Sequence, residues 1–210
     1  MTRILAKICA VIGIAIGSSL MVDTAQAQTA TEIDTSSVIE MTIGAEDAPI
    51  EMIEYASYTC PHCGKFHTDV FKKLKQNYID TGKVRFTYRE VYFDRYGLWA
   101  SMVARCGGED RFFGITDLIY SGQSEWTRAG GPAEIVEELR KIGRLAGMDN
   151  ETLEACMQDA NTAQTLVAWY QQNAERDEIT STPSFLVNGK KVDNQTYDEF
   201  VKLLDAELAN

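Results

Sequence analysis

The sequence predicts an α/β fold, a mixed sheet flanked by helices with an all-helical segment inserted into it, and three observations carry that expectation. Ile50 to Tyr55 and Val84 to Val91 read as strands on either side of a helix whose apolar residues Phe66, Val70, Leu74 and Tyr78 recur every four positions, the pattern of a βαβ unit. Beyond Tyr96-Gly97 some 80 residues carry only helical signals. Ser184 to Val187, the turn Asn188-Gly189 and Lys190 to Val192 then make a hairpin, and Thr196 to Leu208 a closing helix, which completes the sheet.

Taken in order, the chain of 210 residues begins with Arg3 and Lys7, an apolar run from Ile8 to Val22, and Ala25-Gln26-Ala27. This is the plan of a cleaved export leader over residues 1–27, with Gln28 as the first mature residue. A membrane anchor is the alternative, but the run is short for a span and is broken by Gly13, Gly17, Ser18 and Ser19. Removing the leader takes away Cys9 and leaves four of five cysteines, an even number that suits an exported, oxidising setting. It also changes the net charge from −11 to −12, 18 basic residues against 30 acidic. Such a surface argues against nucleic acid and anionic lipid as partners.

Residues 28–37 are polar and read as a mobile tail, Val38 to Ile43 as an edge strand, and Gly44 to Pro49 as a turn into the next strand. Thr81-Gly82-Lys83 stops the first helix. In the helical segment, Leu98 to Arg105 ends at Gly107-Gly108 and Arg111 to Tyr120 ends at Gly122. Pro132 opens a helix running to Gly147, Asp149 or Asn150 caps the next, and Ala163 to Arg176 forms the last. The expected organisation is a sheet domain from residues 38–96 and 177–210, with a helical subdomain over 97–176.

The chemistry concentrates in Cys60-Pro61-His62-Cys63, placed where a strand ends and a helix begins. A helix N-terminus presents unpaired N–H groups and a partial positive charge, which favour Cys60 as an anion. Pro61 suits the first helical position, and a protonated His62 adds positive charge beside the sulfur. Cys63 lies on the Phe66 stripe and is expected to be buried, with Cys60 as the exposed, attacked sulfur. A Cys60 pKa lowered from about 8.5 to about 4 would favour the reduced protein by roughly 4 kcal/mol at neutral pH and raise its potential by roughly 90 mV. Half of a zinc site is the other use of CxxC, but no second closely spaced pair accompanies it. No metal and no cofactor beyond the disulfide itself is expected.

With Thr182-Pro183 ahead of the later strand, and with the long helical insertion, the chain resembles the DsbA family of thiol:disulfide oxidoreductases with a thioredoxin-like fold. The resemblance runs from about Val38 to Leu208. It implies that Cys60 is the nucleophilic cysteine, Cys63 its buried partner, Pro61 and His62 the tuning pair, and Pro183 a cis proline facing the disulfide. Glu54 matches a buried acid that relays a proton to Cys63, although a partnered core acid is the plainer reading. The lysine that usually accompanies this acid has no evident counterpart, leaving Arg85 and Arg89 as substitutes. Thr182 would offer its backbone to an extended substrate as an added strand.

Cys106 and Cys156 are similar to the second cysteine pair of certain family members. Joined, they would close a loop of about 50 residues, worth roughly 4 kcal/mol; two buried free thiols are the alternative. His67 reads as a solvated or locally bonded helix residue, and Trp99, Phe112, Phe113, Trp126, Trp169 and Tyr170 as core aromatics. The implied activity is periplasmic donation of the Cys60–Cys63 disulfide to reduced exported proteins by a monomer that a quinone-linked membrane partner of the DsbB type reoxidises. Disulfide isomerase or reductase is the alternative activity; a zinc- or peptide-binding protein is the alternative from another class.

Overall fold

Among the described residues, 33–209 of the computed structural model, five strands form one mixed sheet. They are β1 (Met41–Ile43), β2 (Ile50–Ala56), β3 (Val84–Glu90), β4 (Ser184–Val187) and β5 (Lys190–Val192). Their order is β1-β3-β2-β4-β5, so β2 is central, parallel to β3 and antiparallel to β4. The expected leader over residues 1–27 lies outside the described residues. Thr182 and Pro183 immediately precede β4, and because Tyr55 pairs with Ser184 they meet the chain just beyond the carboxyl end of β2. The hairpin from β4 to β5 turns on Asn188 and Gly189, both at positive φ, as the Asn-Gly pair demands.

The first strand is shorter than Val38 to Ile43. Only Met41, Thr42 and Ile43 find partners, in Tyr88, Thr87 and Phe86. The Val38 N–H turns back to the Thr35 carbonyl, and the Ile39 carbonyl is taken by an Arg105 N–H. Competing local and side-chain bonds thus remove those residues from the ladder.

The first helical run alternates two windings: α1 (Pro61–Phe66), a π-helical turn (His67–Phe71), α2 (Lys72–Leu74) and a second π-helical turn (Lys75–Ile79). The four-residue apolar spacing explains why. On a regular α-helix each step of four drifts by about 40°, or about 120° between Phe66 and Tyr78. Wider π turns take up the excess residue, and all four side chains stay buried, at 2, 9, 1 and 5% exposure for Phe66, Val70, Leu74 and Tyr78. Phe66 then packs on Phe185 of β4 and Phe200 of the last helix, with ring centroids 4.7 and 5.8 Å away.

The helical segment comprises α3 (Arg95–Cys106), α4 (Glu109–Ser121), α5 (Gln123–Trp126), α6 (Pro132–Leu145), α7 (Asn150–Met157) and α8 (Ala160–Arg176); α9 (Tyr197–Leu208) closes the chain. Three of these start earlier than the sequence suggested, α4 by two residues, at Glu109. Asp94 caps α3 by accepting from the N–H groups of Tyr96 and Gly97, and Asp159 caps α8 through Asn161 and Thr162. Gly97 is therefore a first-turn residue and not a break. Thr196 and Glu199 form a reciprocal capping box on α9.

A buried ion pair ties the helical segment to the sheet. Glu90, fully buried at the end of β3, receives Arg105 Nε at 2.6 Å and a second guanidinium nitrogen at 2.7 Å, plus the Ser101 hydroxyl at 3.0 Å. The guanidinium also lies 5.3 Å from the Trp169 ring centroid. The next residue, Cys106, is disulfide-bonded to Cys156, with Cα atoms 5.9 Å apart, which joins α3 to α7.

Candidate active site

The turn from β2 to α1 is held by partners on every side. Cys60 N–H donates to the Ser57 carbonyl at 3.0 Å, and Tyr120 OH donates to that same carbonyl at 3.2 Å. Tyr58 is buried, its hydroxyl 2.8 Å from Thr116 Oγ1 and its ring against Tyr88 and Tyr120. Thr59 Oγ1 donates to Asp94 Oδ2 at 2.7 Å. Gln123, at the start of α5, donates from Nε2 to the carbonyls of Tyr58 and Cys60 at 2.7 and 2.9 Å. Its side chain lies against Gly64, where a Cβ would collide with the amide oxygen.

Cys60 is the extended N-cap residue of α1, with Pro61 at the first helical position. Its thiol is pulled down to about 5, first by the hydrogen bond from the Cys63 side chain, with burial opposing, then by Thr182 and by the backbone N–H groups of Cys63 and His62. This is a smaller depression than the value of about 4 entertained from sequence. Burial, then the bond with Cys60, then the charge of Glu54 push the Cys63 thiol far up. Cys63 is fully buried and Cys60 partly exposed; the His62 side chain is exposed. The pair is a dithiol in this structure. One sulfur is thus disposed to be an anion and the other to hold its proton.

Facing them, the Thr182–Pro183 bond is cis, and the Thr182 carbonyl oxygen lies 3.4 Å from Cys60 Sγ. The site is therefore assembled from β2, α1 and the residues before β4. Cys106 and Cys156 lie apart from it, on α3 and α7.

Glu54 points from β2 to the same side as Ile50 and Met52, and all three are buried. Burial raises its carboxyl pKa, against the pull of His67. His67 is its partner, with Nε2 3.0 Å from Glu54 Oε2, while Oε1 is buried without a hydrogen bond. His67 is therefore not a solvated helix residue. It is 2% exposed and stacked on Tyr120 with centroids 4.2 Å apart. The reason is position: it opens the first π turn on the face that packs on the sheet. The arginines considered as substitutes for the lysine are engaged elsewhere. Arg85 reaches Glu51, and Arg89 pairs with Glu40 and Asp177.

Sequence reasoning missed His67, Gln123, Tyr120 and Asp94 as parts of this site. Asp94 had a signal, an Asp immediately before a helix; the others act across longer sequence separations.

Against known proteins, a family model described as "Thioredoxin" matches residues 36–206. A relative named "Putative protein-disulfide oxidoreductase" from Rickettsia bellii is 34% identical over 170 residues, covering 80% of this chain and 64% of that protein. The chain thus spans a little under two thirds of that rickettsial relative. Disulfide bond formation protein D of Bacillus subtilis is 28% identical over 177 residues, 79% of this chain and 76% of the other. Among solved structures, Wolbachia pipientis alpha-DsbA1 superposes with a TM-score of 0.74 at 27% identity, over 81% of this chain and 91% of that one. With the central β2, the cysteine pair at the head of α1 and the cis proline before β4 all in place, the chain belongs to the thioredoxin family.

Proposed function

We propose that this protein is a periplasmic thiol:disulfide oxidoreductase that donates a Cys60–Cys63 disulfide to reduced exported proteins. The observation that carries the reading is the split between the two thiols, Cys60 drawn down to about 5 and Cys63 pushed up in its buried seat. A thiolate that stable is a good leaving group, and its disulfide is correspondingly oxidising. Allowing for solvent screening of a half-exposed group, the effect at pH 7 is on the order of 1–2 kcal/mol, or roughly 20–40 mV.

In the proposed reaction a substrate thiolate attacks Cys60 Sγ, the Cys60–Cys63 bond breaks, and Cys63 leaves with the electron pair. Cys63 takes up a proton, for which Glu54 is the buried relay. A second substrate thiolate then attacks the substrate sulfur of the mixed disulfide and releases Cys60 as a thiolate. An extended substrate is held by its backbone at Thr182, and Pro183 faces the sulfur. Reoxidation is assigned to a membrane quinone-linked partner of the DsbB type, on the strength of the family likeness.

The test is the equilibrium of the Cys60–Cys63 pair against a glutathione buffer, together with oxidation of a reduced, unfolded protein substrate. A strongly oxidising equilibrium, and oxidation lost in Cys60→Ala, is the expected result. A thioredoxin-like equilibrium, or greater activity on scrambled than on reduced substrate, assigns the protein to reduction or isomerisation.

A further inference from the structure

The Glu54–His67 pair is sealed inside the protein. Glu54 is 0% and His67 2% exposed, they meet at 3.0 Å, and Glu54 Oε1 has no hydrogen bond. An acid alone in such a seat would stay protonated, and an acid beside a fixed cation would stay ionised. A histidine is neither, because a ring nitrogen and a carboxyl oxygen in contact can hold one proton between them. We propose that His67 is a positioning residue for the dithiol reaction: with Glu54 it holds one shared proton, which passes to Cys63 when the disulfide opens. The inference rests on the oxidoreductase reading above.

The proton count balances. When the substrate thiolate bonds to Cys60 and Cys63 departs with the electron pair, the shared proton moves to the Cys63 sulfur and leaves the pair one proton short. The second substrate thiol loses its proton on becoming the attacking thiolate, and that proton restores the pair by way of solvent. Cys60 is released as an anion, so charge and protons are conserved over the two steps.

The surroundings leave few other participants. Facing His67 are Glu54 from β2, Tyr88 from β3 and Tyr120 from α4, and the charge of Glu54 in turn acts on Cys63. Both tyrosines are held neutral, their pKa values raised by burial. Phe66 and Phe71 close the remaining sides. The charge of a Cys60 thiolate also raises the Glu54 carboxyl. The pair therefore binds its proton more tightly in the reduced protein than in the oxidised one.

The experiment uses the two histidines of the chain. Imidazole NMR titrations of oxidised and reduced protein, assigned by the signal lost in His67→Gln, should give His67 a higher midpoint in the reduced state. Alongside, the glutathione equilibrium measured from about pH 6 to 8 should be independent of pH between those midpoints, where protein and glutathione each take up two protons per two electrons, and should change about tenfold per pH unit elsewhere. His67→Gln keeps a donor to Glu54 but cannot hold the proton, so it should show the tenfold dependence throughout. Its thermal melt reports separately on folding; were it unfolded, the wild-type titrations decide alone. Coincident His67 midpoints in the two redox states, or a wild-type equilibrium that changes tenfold per pH unit throughout, would overturn the proposal. A wild type that oxidises substrate with coincident midpoints removes the shared proton only. Divergent midpoints in a protein that oxidises nothing remove the oxidase reading only.

Discussion

The sulfur of Cys60 lies 3.4 Å from the carbonyl oxygen of Thr182. The atom that would exchange bonds thus sits beside main chain just before β4, and its pKa is lowered from both sides, first by Cys63, then by Thr182 and by the first turn of α1.

The depressed Cys60 pKa makes the stability of the reduced protein depend on pH. A thiol that titrates at about 5 when folded and at about 8.5 when unfolded contributes fully above the higher value, and loses its contribution as pH falls through the lower one. Denaturant midpoints of the reduced protein should rise between pH 5 and 8, by on the order of 1–2 kcal/mol at pH 7 after screening. Cys60→Ser should remove that rise.

Gly64 and Gln123 should be energetically coupled. A methyl at Gly64 would meet the Gln123 amide, and the side chain would swing away from the carbonyls of Tyr58 and Cys60. Gly64→Ala should then cost about 1–2 kcal/mol, as should Gln123→Ala. In the Gln123→Ala background, Gly64→Ala should be neutral, or favourable by up to about 1 kcal/mol through helix propensity. A double-mutant cycle from chemical denaturation gives the coupling directly.

Arg105→Met leaves Glu90 buried beside Ser101 without its cation. The expected cost is about 3–5 kcal/mol, largely recovered by adding Glu90→Gln, because the expense lies in the unpaired charge. Thermal melts of the wild type and these two variants give the comparison.

Cys106→Ala/Cys156→Ala removes the cross-link between α3 and α7. Closing a loop over a separation of 50 residues is worth about 4 kcal/mol in the chain-entropy account, with 2–4 typical of measured cases. Stability in denaturant should fall by that amount. Mass spectrometry after alkylation of the unreduced wild type should find neither of these cysteines labelled.

Much of the sheet was legible because its strands carry period-two patterns and its hairpin an Asn-Gly pair, all local signals. The cysteine pair was legible as a motif, whereas the places of Pro183 and Glu54 in the site were implied by the family resemblance; the strand face that Glu54 shares with Ile50 and Met52 pointed only to a core acid. His67 was not, because its partner is 13 positions back on another element, and an amphipathic count does not say which polar residue on a helix finds a buried acid. Gln123 reaches carbonyls more than 60 residues away from a one-turn helix with no periodicity to read. The helix winding was written in the sequence and overlooked: a strict spacing of four is too long for an α-helix, and the drift it implies was the sign of the wide turns.

Those wide turns have a mechanical corollary. Tyr78, at the far end of the rod that begins with the cysteines, bonds through its hydroxyl to Asp205 of α9 at 2.8 Å. Deleting one residue from each turn, to make a regular coil, would rotate the two ends out of phase. Either the sulfurs or the latch on the C-terminal helix would lose its seat, so an indel there should be felt at both ends of the rod at once.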